Sequence, residues 1–252
     1  MKILVTNDDG YTSRGIRTLA RAASRLGEVS VVAPDGEQST TSHALTLHRP
    51  IRVSRPAAGW WAVGGTPVDS VILGMTEFME SPPDLCLSGI NRGPNMGEDV
   101  LYSGTVSAAM EATINDIRAV AVSHGARTGH ELFDDVEGWE EIVYRLLAAI
   151  VAREELPGTL INVNLPPVPP SEVRGCRVTE LGRRRYEGSI RRLDDPSGGE
   201  LYQLGGGELH WDHDEASDFC ALDEGYISVS PVHLSLTDHE ITEEIKGWDL
   251  SL

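Results

Sequence analysis

The spacing of apolar residues changes twice within the first 34 positions of the chain. Residues 2–6 (KILVT) are almost continuously apolar, which is typical of a strand buried on both faces. From 13 to 26 the apolar residues recur at helical spacing, and Gly27 supplies a natural helix end. Residues 29–33 (VSVVA) form a second apolar run before Pro34. Strand, helix and strand in this order predict a right-handed βαβ unit of a parallel sheet.

The alternation of apolar runs and helical patterns continues along the chain to residue 165. An extended segment at 44–54 contains Pro50, which indicates a bend or a sheet edge. Further buried strands are predicted at 83–89, 119–123 and 159–165. Further helices are predicted from Thr66 as N-cap with Pro67 at the first helical position and Asp69 in the first turn, at about 105–117, and at about 135–153.

The composition and the periodicity of the sequence change beyond about residue 170. Polar, turn-rich stretches without helical period follow, then a strand-like alternation at 225–236 and a short C-terminal stretch with some helical character. The prediction is an α/β fold with a doubly wound, mostly parallel sheet over 1–170. Residues 171–252 are expected to form an extended hairpin or arm that packs on a neighbouring subunit.

Charge and cysteine content narrow the classes of function. Thirty-nine acidic residues face 21 basic ones, a net charge of −18, which argues against binding to nucleic acid or to anionic membranes. Such acidity suits a solvated surface at high salt, where self-repulsion is screened. No apolar run reaches the roughly 18 residues that span a bilayer, and no secretory signal is recognisable, so a cytoplasmic protein is expected. Cys86, Cys176 and Cys220 lack the spacing of a disulfide framework or a zinc site.

Three polar loops follow predicted strands, and ligands of open parallel sheets bind at strand carboxyl ends. The loops contain Asn7–Asp8–Asp9, then Ser39 in DGEQSTTSH, then Asn91 and Asn95 in SGINRGPNMG. Oxygen ligands of this kind suit Mg²⁺, Mn²⁺ or Ca²⁺, and a cation would offset the repulsion between adjacent carboxylates. The alternatives remain open at this stage: an Asx turn with a helix cap for Asp8–Asp9, a solvated Ser39, and asparagines that only hold turns.

The stretch YSGTVSAAMEA offers a candidate phosphate site. Ser103, Gly104 and Thr105 lead directly into a helix, whose first N–H groups attract anions, although ordinary N-capping by Ser103 or Thr105 is the commoner role. No P-loop, GxGxxG or GxSxG pattern is present.

Two polar clusters are interpreted as surface features. The residues of HWDHD that could chelate a metal are expected to form a solvated acidic face, and the arginines of 183–185 are expected to bind an anion or to form ion pairs. The four HWDHD residues are His210, Asp212, His213 and Asp214.

Taken together, six stretches resemble the SurE family, the survival protein E nucleotidases. They are ILVTNDDGYTSRGI, VVAPDGEQSTTSHALT, GGTPVDSV, LSGINRGPNMGEDVLYSGTVSAAMEA, INVNLP and DEGYISVSPVHLSLT. The resemblance runs in order from residue 1 to about residue 237. It implies a SurE-type, Rossmann-like α/β fold and C-terminal segments exchanged between subunits of a homo-dimer or tetramer. One departure is Gln38, which stands where many relatives carry a basic residue.

The resemblance also implies a metal-dependent phosphatase of nucleoside monophosphates. Its metal ligands would be Asp8, Asp9, Ser39 and Asn91, holding one divalent cation per subunit, Mg²⁺ or Mn²⁺. The residues around the substrate phosphate would be Asn95, Ser103, Gly104 and Thr105. Family members hydrolyse 5′- and 3′-nucleotides, and some act on short polyphosphate.

The predicted function is therefore that of a 5′-nucleotidase, an acid-type phosphomonoesterase in which Asp8 and Asp9 are catalytic and metal-activated water attacks phosphorus in line. Two alternatives stay open. In one, Asp8 is a nucleophile that forms an aspartyl-phosphate, although adjacent aspartates lack the usual DxD spacing. In the other, the chain is a non-catalytic, receiver-like module that binds Mg²⁺, although no phosphoacceptor Asp with a matching Lys is evident.

Overall fold

The structure, a computed structural model, describes residues 1–126, 131–153, 157–187, 190–194, 196, 198–204, 208–212 and 214–250, with the backbone alone at 131–132, 185–187 and 208–209. The strands are β1 (Lys2–Thr6), β2 (Glu28–Pro34), β3 (Val53–Ala57), β4 (Trp60–Val63), β5 (Leu85–Arg92), β6 (Arg118–His124), β7 (Thr159–Leu165), β8 (Cys176–Val178), β9 (Arg184–Glu187), β10 (Ile190–Asp194), β11 (Glu200–Leu204), β12 (Glu208–Trp211) and β13 (Ile227–His233). The helices are α1 (Arg14–Ser24), α2 (Pro67–Leu73), α3 (Gly104–Ile114), α4 (Glu140–Val151), α5 (Asp218–Asp223) and α6 (His239–Lys246). Short 3₁₀ turns lie at Gly97–Leu101, Glu131–Trp139 and Pro170–Glu172, and a π turn at Gly74–Phe78 extends α2.

Nine strands form the main sheet, in the spatial order β3–β4–β2–β1–β5–β6–β7–β13–β8. Most neighbouring strands are parallel, whereas β3 runs antiparallel to β4 and β13 antiparallel to β7. From β1 the chain first adds β2 on one side and later returns to place β5 on the other. This reversal puts the topological switch point between β1 and β5, where open α/β sheets bind their ligands. The predicted doubly wound, mostly parallel fold is confirmed.

Helices cover both faces of the sheet. Ile3 and Val5 of β1 belong to the apolar core that includes α1 and α4, and Leu4 belongs to the opposite core, which includes α2 and α3. Because side chains alternate along a strand, the even-numbered residues of β1 point towards α3. The same alternation brings Asp8, just beyond the strand, towards the start of α3.

Local signals account for the starts of the helices on the α3 face. Thr66 and Asp69 form a reciprocal capping box at the start of α2, with the Asp69 N–H donating to Thr66 Oγ1 at 3.1 Å and the Thr66 N–H donating to Asp69 Oδ2 at 2.8 Å. Ser103 caps α3 through its own side chain, since its Oγ accepts from the Val106 N–H at 3.0 Å. Both caps were predictable because they depend only on neighbours within four residues.

Several boundaries differ from the predicted ones. The helix predicted at 105–117 ends at Ile114, because Asp116 has a positive φ of 59°. In the helix predicted at 135–153, Asp135 is non-helical and the α-helix begins only at Glu140. Only the end of the extended segment 44–54 becomes a strand, and β4 was not predicted at all.

The main sheet continues beyond residue 170. Strands β8 and β13 complete its edge, and α5 forms in a region whose sequence lacks an obvious helical period. Two small antiparallel pairs, β10 with β11 and β9 with β12, form the predicted hairpin extension. The division of the chain at residue 170 and the exchange of segments between subunits stay predictions.

Candidate functional site

Asp8 lies buried at the end of β1, bound to the start of α3. Its Oδ1 accepts a hydrogen bond from Thr105 Oγ1 at 2.5 Å, and its Oδ2 accepts one from the Thr105 N–H at 3.1 Å. The first turn of a helix is the part of its backbone that favours negative charge. The Asp8 carboxylate is thus fixed in place by Thr105, the second residue of α3.

Asp9 points to the neighbouring strand instead. Its Oδ2 accepts the N–H of Arg92, the last residue of β5, at 3.1 Å. Asn91 precedes Arg92, and its side-chain NH₂ donates to the Gly93 carbonyl at 2.8 Å, which leaves the amide oxygen as its acceptor group. The two carboxylates therefore have different partners, Thr105 of α3 for Asp8 and the end of β5 for Asp9.

The electrostatics of the pair favour a bound cation. Burial raises the pKa of Asp8, against the opposing effect of its hydrogen bonds with Thr105. Burial, followed by the charge of Asp8, raises the pKa of Asp9 from 3.8 to about 6. Glu37 adds negative charge near both carboxylates. A positive ion beside the carboxylates would offset both the repulsion between Asp8 and Asp9 and the repulsion from Glu37.

The backbone of the loop after β2 is hydrogen-bonded to the backbone at the end of β1 and before α3. The N–H of Gln38 donates to the Asp8 carbonyl at 2.8 Å, and further along the Ser42 N–H donates to the Tyr102 carbonyl at 3.3 Å. Ser39 itself is exposed and donates to Glu37 Oε1 at 2.7 Å. The loop thus lies over the end of β1, with the predicted ligand Ser39 oriented by an acidic neighbour that the sequence reasoning missed.

Asn7 completes the group of polar residues at the end of β1. Its NH₂ donates to the Gly10 carbonyl at 3.0 Å and to Ser13 Oγ at 2.9 Å, whereas its buried Oδ1 has no hydrogen-bond partner within the described part of the chain.

The predicted cation ligands are Asp8, Asp9, Ser39 and Asn91. Their available oxygens are hard donors, and they fit Mg²⁺ or Mn²⁺ better than zinc.

The start of α3 combines donor groups with a very close approach to Asp8. The Ser103 hydroxyl accepts from Val106, so its own proton can be donated outwards. A Cβ atom on Gly104 would lie 2.9 Å from Asp8 Cβ and 3.0 Å from Asp8 Oδ2. Only a glycine therefore allows α3 to approach the carboxylate this closely. The N–H and O–H of Thr105, which sequence reasoning assigned to a phosphate, are donated to Asp8.

Asn95 belongs to a buried polar network. Its N–H donates to Asn164 Oδ1 at 2.8 Å and its NH₂ donates to Ser123 Oγ at 2.7 Å, while its carbonyl accepts from the amides of Asn162 and Asn164. The second N–H of its amide has no hydrogen-bond partner among the described residues. An Asn-x-Asn pair inside an apolar strand was a signal for such a network, because buried amides require partners.

The other candidates from the sequence lie elsewhere. His210, Asp212 and Asp214 are exposed, and His213 lies outside the described residues. Arg184 pairs with Asp99, and the side chain of Arg185 also lies outside the described part. Across the described ranges, no group of three or more His, Cys, Asp or Glu side chains is arranged to hold a metal ion. Cys86 is a buried free thiol, and burial raises its pKa to about 12.

None of the helices in the described ranges has the length and the apolar character needed to cross a membrane.

Comparisons with known proteins agree on one family. The family described as "Survival protein SurE" matches residues 3–188. The chain is 48% identical over 251 residues to the 5′-nucleotidase SurE of Gemmatimonas aurantiaca, covering 98% of each chain. It is 46% identical over 252 residues to the 5′-nucleotidase SurE of Geotalea uraniireducens, covering 100% of each. The crystal structure of the SurE protein from Aquifex aeolicus superposes with a TM-score of 0.87 at 38% identity, covering 98% of each chain.

Proposed function

The chain belongs to the SurE family, and from this premise we propose that it is a divalent-cation-dependent phosphomonoesterase that hydrolyses nucleoside 5′-monophosphates, and 3′-monophosphates as well, to nucleoside and phosphate. Relatives with 41–48% identity that carry the name 5′-nucleotidase SurE support the substrate class. Short polyphosphate is a further candidate substrate.

The observation that carries the proposal is the position of Thr105. This residue donates two hydrogen bonds to Asp8, and it directly follows Ser103 and Gly104 at the start of α3. The carboxylate that would bind the cation and the helix start that would bind the phosphate are therefore one rigid unit. A phosphoryl group held by both would have its reacting atom placed with little freedom, which is a large part of enzymatic rate enhancement.

The cation would be held by Asp8, Asp9, Ser39 and Asn91, with Mg²⁺ or Mn²⁺ the expected ions. When bound, such a cation polarises a phosphoryl oxygen and lowers the pKa of a water molecule. For Ser39 to join this set, its hydroxyl oxygen must offer a lone pair while its proton continues to be donated to Glu37, which the 2.7 Å hydrogen bond allows.

The protein's own donors would hold the substrate phosphate. The Ser103 hydroxyl proton and the Gly104 N–H, at the positive end of the α3 dipole, would favour the charge that develops on the phosphoryl oxygens. The free amide N–H of Asn95 is a third donor, positioned by Ser123 and Asn164. Asp9 would orient the attacking water or accept its proton.

Release of phosphate from a panel of 5′- and 3′-mononucleotides and a short polyphosphate tests the proposal, with Mg²⁺, Mn²⁺ or EDTA present. We expect activity with either cation and loss of activity in EDTA. The variant Asp8→Asn should abolish phosphate release from AMP and keep a wild-type circular dichroism spectrum. Turnover of this variant near the wild-type rate would refute the assignment.

Covalent chemistry at Asp8 is the competing mechanism, and it can be separated directly. Both oxygens of Asp8 already accept hydrogen bonds from Thr105, which favours a fixed ligand over a nucleophile that must approach phosphorus. Acid quenching during turnover of radiolabelled AMP should leave no label on the protein. Stoichiometric labelling that disappears in Asp8→Asn would establish the aspartyl-phosphate route instead.

A further inference from the structure

Residues 93–102, the site loop, lead into Ser103 and Gly104, the proposed phosphate-binding residues at the start of α3. The site loop connects the end of β5, with Asn91, to Ser103 at the start of α3. On one side it is held by the Asn95 network with β6 and β7. On its other side it contacts a part of the chain that the proposed mechanism does not use, the segment around α5.

Asp218, the first residue of α5, is fully buried and binds three backbone N–H groups. Its Oδ2 accepts from Gly97 of the site loop at 2.8 Å, and its Oδ1 accepts from Gly182 at 3.0 Å and from Phe219 at 2.9 Å. One carboxylate thus joins the site loop, the segment before β9, and α5. Hydrogen bonds to a buried charged acceptor are among the stronger ones in proteins.

Close packing surrounds this hydrogen-bonded junction. Gly97 has a φ of +51°, and a Cβ atom on it would lie 2.3 Å from the Gly182 carbonyl oxygen and 2.9 Å from Phe219 Cε2. Met96 of the site loop packs in a small apolar cluster with Phe219 and Leu222. The site loop therefore has little room to move against α5 as long as the hydrogen bonds of Asp218 are intact.

The rest of the site loop links Gly97 to Ser103 and Gly104 at the start of α3. A 3₁₀ turn runs from Gly97 to Leu101, with the Tyr102 N–H donating to the Asp99 carbonyl at 3.0 Å. Asp99 also forms an ion pair with Arg184. Ser103 follows directly, so the turn is a short rigid connection between the Asp218 junction and the donors of α3.

We propose that Asp218 is a positioning residue for nucleotide hydrolysis, which holds the site loop so that Ser103 and Gly104 present their donors to the substrate phosphate. This inference rests on the proposed function. It also gives the C-terminal part of the chain, through the hydrogen bond of Asp218 with Gly97, a role in positioning the phosphate donors.

The geometry suggests a selective substitution, Asp218→Asn. The asparagine carbonyl would replace Oδ1, where two N–H donors converge, so its NH₂ group would face the Gly97 N–H. Two donors cannot bond to each other, and the site loop would lose its anchor while α5 keeps its own. Asp238→Asn is the matched control, because Asp238 also accepts a backbone N–H, from Ile241 at 3.0 Å, but is exposed at the start of α6.

The test measures three quantities separately: hydrogen exchange in the site loop, the binding of AMP and phosphate, and the binding of the cation. In Asp218→Asn we expect faster hydrogen exchange in peptides of the site loop, and about tenfold or greater increases in the KM for AMP and in the dissociation constant of inorganic phosphate. The dissociation constant of Mn²⁺, measured by titration calorimetry, should rise less than that of phosphate, because the proposed cation ligands lie outside the site loop and Asp8, which contacts Thr105 of α3, is anchored at the end of β1. Asp238→Asn should match the wild type in every measurement.

A second variant separates the effect of the junction from a general loss of folding in Asp218→Asn. Gly97→Ala pushes on the same junction from the site loop side, and should raise the same KM and phosphate dissociation constant without Asp218 being changed. The proposal is overturned if faster exchange in either variant leaves AMP and phosphate binding at wild-type values, or if Mn²⁺ affinity falls as much as phosphate affinity. If the wild-type protein hydrolyses no nucleotide, the proposed function fails, whereas exchange and phosphate binding still decide the role of Asp218.

Discussion

Gly104→Ala should damage the site although the substitution adds one methyl group at the start of a helix. The new Cβ would lie 2.9 Å from Asp8 Cβ, 3.0 Å from Asp8 Oδ2 and 3.2 Å from Pro67 Cγ. Carbon atoms that are not bonded prefer separations of about 3.5–4.0 Å. Asp8 and α3 must therefore move apart by roughly 0.6–1 Å.

Such a shift breaks a specific contact. The hydrogen bond from the Thr105 N–H to Asp8 Oδ2 is already 3.1 Å long, so a shift of this size takes it beyond bonding distance. Loss of a hydrogen bond to a charged group costs about 1.5–3 kcal/mol, and the higher helix propensity of alanine returns at most about 1 kcal/mol. The free energy of unfolding should fall by about 0.5–2 kcal/mol. The catalytic effect should be larger, because a displacement of about 1 Å can reduce the rate roughly a hundredfold.

The assay is kcat/KM for AMP with Mn²⁺, with thermal unfolding measured in parallel. Gly36→Ala is the control, since a Cβ on Gly36 has no atom within 4 Å and the residue lies in the neighbouring loop after β2. We expect this control to keep wild-type activity. A Gly104→Ala enzyme with wild-type kcat/KM would show that the approach of α3 to Asp8 does not matter for catalysis, and the reasoning would fail.

Two further predictions concern pH. The pKa of Asp9 is raised from 3.8 to about 6, so its proton stabilises the folded state at low pH and this stability is lost as pH rises through 6. Asp9→Asn should therefore increase the free energy of unfolding in EDTA at pH 7.5 by about 1–3 kcal/mol, measured as a higher thermal midpoint. The same variant should have little effect near pH 4, and equal shifts of the midpoint at both pH values would contradict this. For His124, burial lowers the pKa to about 4, so its contribution to stability is present above pH 6.5 and is lost as pH falls towards 4. His124→Asn keeps an acceptor for the Ala126 N–H and should reduce the fall in urea midpoint between pH 7 and pH 4.5, whereas an unchanged fall would show that another group is responsible.

Much of the α/β core was predictable because its signals are local. Apolar runs identified β1, β2, β5, β6 and β7, and capping residues identified the starts of α2 and α3. The candidate carboxylates followed from the same reasoning, since Asp8 and Asp9 come directly after a buried strand. Prediction was weakest at β4 and α5, which have four and six residues, because so short a stretch contains too few residues to define a period.

The contacts that build the site were not predictable in this way. Sequence reasoning placed Thr105 at a phosphate, whereas its N–H and O–H bind Asp8, 97 residues away along the chain. It also found no role for Asp218, whose carboxylate binds Gly97 from a distance of 121 residues in sequence. In both cases the residue types were visible but their partners were not.

The sequence alone determined the fold class, the positions of most helices and strands, and an oxygen-rich set of residues at strand ends. These features depend on residue periodicity and on neighbours within a few positions, so the order of residues is sufficient to specify them. Only the tertiary structure decided which of the available donors each carboxylate accepts. A carboxylate accepts any N–H or O–H brought within about 3 Å, and which one arrives depends on the packing of α3 and α5 against the sheet, to which the whole chain contributes.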